Sequence, residues 1–453
     1  MSFFIKGKQS NGIKRAKFSN DKNKKKKFTN KRAKDEEITS SEEEEIEKEE
    51  IPDHTSSEDE NETAQEKKLR LAKVYLEEIE REEKLRLESK EIDNDVISRR
   101  LKEDYLKDAG KLRLTVADTY KGADSENIKF LKCREQRDCI TCVCLSAKDE
   151  FLYAGSKDGN LVKYSLVEHK KVGILPFTRK KNDKPTGNST KVNAIAISSD
   201  SKYLVTSDES NSIHIWCPDT LTHIKSLLGH KKPVISLIFK KDSHQLYSGS
   251  KDRTIKVWSL DEMAYVETLF GHQDSITSLD ALYRDRLVSS GGRDLRIWKI
   301  TEETQLIFNG HNGNIDNVKL INEENFITGG DDGQICIWSL MRKKPLAILN
   351  QSHGLDSTNN QPNWVTAITS FLNTDLVATG SNNGFVNVYK LENNFKNVKL
   401  LFTIPMLGFV NTLNFTSDGT KLIVGVSKEY KLGRWNTEKT AKNGIYVVPL
   451  VKS

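Results

Sequence analysis

The sequence predicts an all-β fold, a seven-bladed β-propeller, preceded by a charged helical segment and a disordered N-terminal tail. Three observations predict it. A phrase of small residues, a polar or charged pair, two alternating apolar positions and an aromatic recurs seven times after Phe151. Its closing aromatics, Tyr164, Trp216, Trp258, Trp298, Trp338, Tyr389 and Trp435, lie 52, 42, 40, 40, 51 and 46 residues apart, around the ~40–45 of a four-stranded blade. Within each copy the apolar residues alternate, as at Ile255 and Val257 or Ile335 and Ile337, the period of a half-buried strand.

The turns inside the copies read Lys157-Asp158-Gly159, Lys251-Asp252-Arg253, Gly292-Arg293-Asp294 and Asp331-Asp332-Gly333. Gly, Asp and Asn reverse a chain tightly because they tolerate positive φ. Gly-His pairs precede three copies, at His230, His272 and His311. The phrases resemble WD40 repeats, in which such a His bonds the turn Asp and helps fix a strand Ser or Thr and the closing Trp. The sets this implies are His230, Asp252, Trp258; His272, Asp294, Trp298; and His311, Asp332, Trp338. A trio that repeats from blade to blade is scaffolding, not a catalytic triad. Seven copies close into a ring with few exposed strand edges. Either residues 128–132 or residues 445–451 can supply the outer strand of the last blade, and closure that places both chain ends in neighbouring positions is expected.

Ahead of the repeats the composition changes twice. Residues 1–34 carry 13 Lys/Arg against one Asp, and residues 35–66 carry 16 Asp/Glu against one Lys. Neither block has enough apolar surface to offset the entropy of ordering, so residues 1–61 are expected to be disordered. Lys14-Arg15 and Lys24-Lys25-Lys26-Lys27 have the form of a bipartite nuclear localisation signal, and such runs also bind nucleic acid through phosphates. Ser40, Ser41, Ser56 and Ser57 each have an acidic residue three positions on, the pattern an acidophilic kinase phosphorylates. Residues 62–121 read as a charged helical segment. Thr63 stands three before Glu66 at a capping-box spacing, and Leu69, Ala72, Leu76 and Ile79 fall on one helical face. Ile97, Leu101 and Tyr105 repeat the pattern; helices so heavily charged need a docking surface to be stable. The propeller then takes residues 122–453.

Of the net charge of +6, residues 122–453 hold about +7, which suits an anionic partner. No run approaches the ~18 apolar residues of a membrane span, and the opening Met1 to Ile5 is too short for a signal-peptide core, so no membrane partner is expected. Cys139 and Cys142 have zinc-like spacing, but no second pair follows at zinc distance, and residues 140–145 fit an innermost strand. Reduced core thiols, no metal and an intracellular compartment are the reading. No phosphate-binding Gly-x-x-x-x-Gly-Lys loop, His-Glu-x-x-His or nucleophile elbow occurs, so neither enzyme activity nor a cofactor is expected.

Two stretches carry a more specific resemblance. Residues 62–76 and Arg100-Leu101-Lys102-Glu103-Asp104 resemble the helical elements ahead of the propeller in the family of WD-repeat proteins of the U3 small nucleolar ribonucleoprotein. Tyr265 to Asp274, Leu320 to Glu324, Asn373 to Ser381 and Leu432-Gly433-Arg434-Trp435 are similar to that family too, and the likeness covers roughly residues 62–450. It implies a non-catalytic subunit that joins U3 small nucleolar RNA at its box B/C region beside the small RNA-binding core protein of the box C/D particle. It further implies other small-subunit processome proteins as partners, a part in pre-rRNA processing to 18S rRNA, and a place in the nucleus and nucleolus. The sequence departs from the family at the fourth blade, where Leu295-Arg296-Ile297-Trp298 follows Asp294 at once and the turn is two residues short. The repeats alone also admit a protein-only adaptor, such as a ubiquitin-ligase substrate receptor or a chromatin scaffold.

Candidate RNA or partner contacts gather in loops of one rim. Arg179, Lys180, Lys181 and Lys184 occupy the long connection before the second blade; Lys157, Lys251, Arg253 and Arg293 occupy the small turns. A shared basic rim offers structured RNA what it presents most readily, phosphates and shape. Lys428, Lys431 and Arg434 form a second group in the last blade.

Overall fold

The computed structural model describes residues 64–87, 94–108, 110–132, 134–178, 187–356, 359–433 and 437–452. The candidate nuclear-localisation residues (Lys14, Arg15, Lys24 to Lys27), the serines 40, 41, 56 and 57, the candidate contacts Arg179, Lys180, Lys181 and Lys184, and Arg434 with Trp435 lie outside them. The chain divides into two compact units, residues 1–79 and 80–453.

The first unit is described from Ala64, where a helix begins that ends at Leu87 in the second. Of the apolar stripe that the sequence places on one face of this helix, Leu69, Ala72 and Leu76 are exposed and Ile79 is buried. A second helix spans Asn94–Asp108, with Tyr105 exposed.

Seven antiparallel sheets make up the rest. Blade one comprises Ile140–Leu145, Phe151–Ser156, Leu161–Ser165 and Lys170–Leu175; blade two Val192–Ile197, Leu204–Asp208, Ile213–Trp216 and His223–Leu227. Blade three has Val234–Phe239, Gln245–Ser250, Thr254–Ser259 and Ala264–Phe270; blade four Ile276–Ala281, Arg286–Gly291, Asp294–Lys299 and Thr304–Phe308. Blade five has Ile315–Leu320, Asn325–Gly330, Ile335–Ser339 and Arg342–Leu349; blade six Val365–Ser370, Leu376–Ser381, Phe385–Glu392 and Asn397–Pro405. Blade seven takes Phe409–Phe415, Lys421–Ser427 and Gly444–Lys452, and its outer edge comes from Tyr120–Ala123 and Lys129–Leu131. First strands neighbour one another around the ring, the seventh beside the first.

The second strand of each blade is buried almost throughout because neighbouring blades cover both its faces, as at Leu246 to Ser250. Tyr247, Ile255 and Val257 of blade three interlock with Ile276, Leu279 and Leu287 of blade four. Outer strands have one solvent face and carry the charge, which is why the whole-chain composition understates the core.

The ring closes with its two ends side by side. Tyr120 pairs with Lys452 and Ala123 with Leu450, then Lys129 with Val447 and Leu131 with Ile445. Gly444–Lys452 is the third strand of blade seven and the N-terminal strands are its fourth. The seventh copy of the phrase therefore does not reach the third strand at Trp435; a long connection from Lys428 to Asn443 intervenes. Upstream, the chain is pinned on blade six, where Leu114 N donates to Asn373 O (2.8 Å) and Val116 N and Ala117 N to Asp375 Oδ1 (2.8 and 2.9 Å).

Candidate nucleic-acid interface

The turn between the second and third strands of each blade meets the loop that enters that blade, and this meeting builds the rim. In blade three a carboxylate can only accept, so His230 Nδ1 donates to Asp252 Oδ2 (2.9 Å). His230 Nε2 then accepts from Ser248 Oγ (2.8 Å), which accepts in turn from Trp258 Nε1 (2.8 Å). Burial alone would raise Asp252, but hydrogen bonds from His230 and Thr254 outweigh it and hold the carboxyl below its ordinary range. Blade five repeats the chain: His311 to Asp332 at 3.0 Å, His311 to Thr328 at 2.8 Å and Trp338 to Thr328 at 2.8 Å.

Other blades fill the histidine position with residues that the Gly-His signature does not reveal. Asn188 accepts from Thr206 Oγ1 (2.9 Å) under Trp216 in blade two, and Gln136 accepts from Tyr164 Oη (3.0 Å) in blade one. In blade six His353 Nε2 lies 2.9 Å from Thr379 Oγ1.

Blade four departs from the expected set. His272 and Trp298 meet Ser289 at 2.6 and 2.8 Å, but Asp294 does not reach His272. The turn is reduced to Gly292 and Arg293, with Gly292 at φ +61, the position where a two-residue hairpin of the II′ kind needs glycine. Asp294 is thereby drawn into the third strand, where it faces Arg296 at 3.7 Å. His272 Nδ1 and Arg296 Nε are buried without partners among the described residues. Burial, then the Arg296 charge, push His272 down to about 4.

The rim turns hold the candidate cations unequally. Lys157 Nζ is engaged by Glu429 Oε1 (2.8 Å), Tyr430 O (2.8 Å) and Gly433 O (3.4 Å), its side chain 11% exposed; it ties blade one to blade seven. Lys251 and Arg253 are exposed, as is Arg293 on blade four. Thr178 and Asn188 lie on the same rim: Thr178 N donates to Asn188 O (2.9 Å), and Asn188 Nδ2 to Gly159 O (3.4 Å) in the turn that carries Lys157.

Two further cations complete blade three's corner. Lys231 and Lys232 are exposed in the entering loop, and backbone bonds hold that loop on the Lys251 turn. Lys231 N donates to Asp252 Oδ2 (3.0 Å), Ser250 Oγ to Lys232 O (2.8 Å), and Lys251 N to Pro233 O (3.0 Å). Lys231, Lys232, Lys251 and Arg253 thus share one corner, and among the described residues none of them is ion-paired. The Asp252 carboxylate at the centre of this corner offsets one of the four charges, and the surplus of cations forms an anion-binding surface.

The second basic group is dispersed. Lys428 is exposed, whereas Lys431 faces the axial channel, a cavity of about 1010 Å³, with Asp316, and burial lowers its pKa. Cys142 and Cys144 on the first strand of blade one, and Cys139 just before it, are held as thiols by burial, pushed up to about 12, about 11 and about 11.

The model for the WD domain, G-beta repeat, matches residues 126–165, 180–217, 221–259, 263–299 and 302–339. Over 394 residues the chain is 41% identical to human U3 small nucleolar RNA-interacting protein 2, covering 86% of this chain and 82% of that one. It is 31% identical to the Arabidopsis thaliana U3 snoRNP-associated protein-like EMB2271, covering 94% and 93%. The solved structure of U3-55K superposes with a TM-score of 0.70 at 41% identity, over 73% of this chain and all of that one. On this likeness, which spans helices and propeller together, the chain belongs to the family of U3 small nucleolar RNA-interacting WD-repeat proteins.

Proposed function

We propose that this protein is a non-catalytic subunit of the U3 small nucleolar ribonucleoprotein that grips U3 RNA by the basic rim of its propeller. The observation that carries the reading is the corner of blade three, where Lys231, Lys232, Lys251 and Arg253 stand exposed and unpaired. Arg293 extends the same margin, and Arg179, Lys180 and Lys181 remain the sequence's further candidates. Relatives named for U3 RNA and, in Saccharomyces cerevisiae, for ribosomal RNA processing support the assignment. The finer reading follows the family. The chain sits at the box B/C region beside the small RNA-binding core protein, contacts further processome proteins, and supports pre-rRNA processing to 18S rRNA in the nucleolus.

Crosslinking in cells tests the partner: U3 RNA is recovered, and recovery of no small nucleolar RNA overturns the assignment. Salt titration of purified protein tests the surface, since each phosphate contact adds about 0.7–0.9 to the slope of log affinity against log salt. Changing all four corner cations to Ala is expected to lower that slope by up to about 3.6. Salt-insensitive absence of RNA binding by the unaltered chain points instead to a protein-only adaptor.

A further inference from the structure

We propose that Phe270 is a stacking platform for an unpaired RNA base, set between two basic turns of the rim. The inference rests on the RNA-binding reading and names the element of RNA that this part of the surface takes. Phe270 ends the outer strand of blade three and is 70% exposed. In register it lies opposite Thr254, so the Arg253 turn stands one strand spacing away, ~4.8 Å in the hydrogen-bonding direction. On its other side the chain runs through Gly271 and His272 to Asp274, and this loop abuts the Arg293 turn. A Cβ added to Gly291 would meet His272 Nδ1 at 2.7 Å, and one added to Gly292 would meet Asp274 Cβ at 3.0 Å. An aromatic face is thus flanked by Arg253 with Lys251 on one blade and by Arg293 on the next, with Asp252 in the first turn and the Asp274 and Asp294 carboxylates beside the second, so cations outnumber acids on the Arg253 side.

The fold does not require an aromatic there. The residue two before the rim histidine is Leu228 ahead of His230, Phe270 ahead of His272 and Asn309 ahead of His311, and all three are exposed. Asparagine at the equivalent place shows that the position packs nothing. A single exposed Phe is unremarkable on a protein surface. What distinguishes this one is its place between cations: phosphates on either side bring a flat base over the ring, and stacking accepts any base because every base has a π-face.

The test uses the full chain and an RNA stem with an unpaired internal loop, beside the same stem fully paired. Phe270→Ala is expected to weaken binding to the looped RNA about 5- to 150-fold, the range for loss of one base–aromatic stack, with the salt slope unchanged. Phe270→Trp retains affinity, Phe270→Leu loses it as Ala does, and fully paired RNA is bound equally by all. Melting temperature stays constant because the side chain is exposed. Unchanged affinity of Phe270→Ala, equal loss on paired RNA, or full rescue by Leu overturns the stacking platform while leaving the basic rim intact. Loss of a protein partner with RNA affinity unchanged overturns it as well. A wild-type chain that binds neither RNA overturns both readings.

Discussion

Blades three and four provide a paired experiment on the rim network. Asp252 accepts four hydrogen bonds: from His230 Nδ1 (2.9 Å), Lys231 N (3.0 Å), Thr254 N (3.0 Å) and Thr254 Oγ1 (2.6 Å). In Asp252→Ala the Lys231 amide turns to water, but His230, its side chain 1% exposed, keeps a donor that water reaches poorly. One buried unsatisfied group costs about 1–3 kcal/mol, so a loss near 2 kcal/mol is expected. Asp294→Ala is the control. Its carboxylate is 32% exposed and meets the Arg296 guanidinium, itself 6% exposed, only at 3.7 Å, so a loss smaller than that of Asp252→Ala is expected. Urea denaturation of the two variants, with m unchanged, measures the difference. Equal midpoints for Asp252→Ala and Asp294→Ala would refute the reasoning, because they would mean that the carboxylate's partners contribute nothing.

Lys157→Ala is expected to lower the melting temperature and leave the RNA salt slope unaltered, since its ammonium is spent on Glu429 and two carbonyls; a reduced slope would place it on RNA. Changing Arg179, Lys180 and Lys181 together to Ala is expected to do the reverse, weakening RNA binding at constant melting temperature, and unchanged affinity at physiological salt removes that loop from the interface. Stability should fall with pH through the window from 6.5 to about 4, because unfolded imidazoles bind protons at 6.5 while burial holds His272 and His353 down to about 4. Each ring then contributes up to about 3 kcal/mol to the loss, and a flat urea midpoint across that window contradicts it. A chain beginning at residue 133 lacks the outer edge of blade seven, including the buried Tyr120 and Leu131, and exposes the Gly444–Lys452 edge. Sedimentation should show it aggregated, and a monomer of unaltered stability would mean that the closure contributes little.

The blades were legible because their signals are local. A turn phrase, an alternating strand and a closing Trp lie within some twenty residues, and each is imposed by backbone geometry that repeats. What was not legible depends on contacts made across loops. Gln136 and Asn188 do the work of a rim histidine, yet nothing in their neighbourhood marks them, since any acceptor delivered to the right place satisfies the hydroxyl below. Residues 445–451 read as a possible outer strand of the last blade, whereas Gly444–Lys452 is its third, a place hidden because the strand follows a long connection and lacks the turn phrase. Nothing in the sequence singles out Lys231 and Lys232; only the bonds from Lys231 N to Asp252 and from Ser250 to Lys232 O bring them to Lys251. Lys157 shows the opposite error, a turn lysine whose charge is consumed within the fold by Glu429.

These differences divide the rim electrostatically. The same turn carries Lys251 and Arg253 in blade three and Arg293 in blade four, but Asp331 and Asp332 in blade five and Asn382 and Asn383 in blade six. Blade seven presents Lys428 beside Glu429, whose carboxylate cancels Lys157 on blade one. Among the described turns, exposed positive charge is therefore concentrated on blades three and four, and the margin of blades five and six is neutral or acidic. A polyanion approaching such a ring is drawn to one side and repelled from the other, so the charge pattern orients the RNA as well as attracting it. The mild net charge of residues 122–453 conceals this, because orientation depends on where the surplus sits, and the strand repeat leaves those turn positions free to vary.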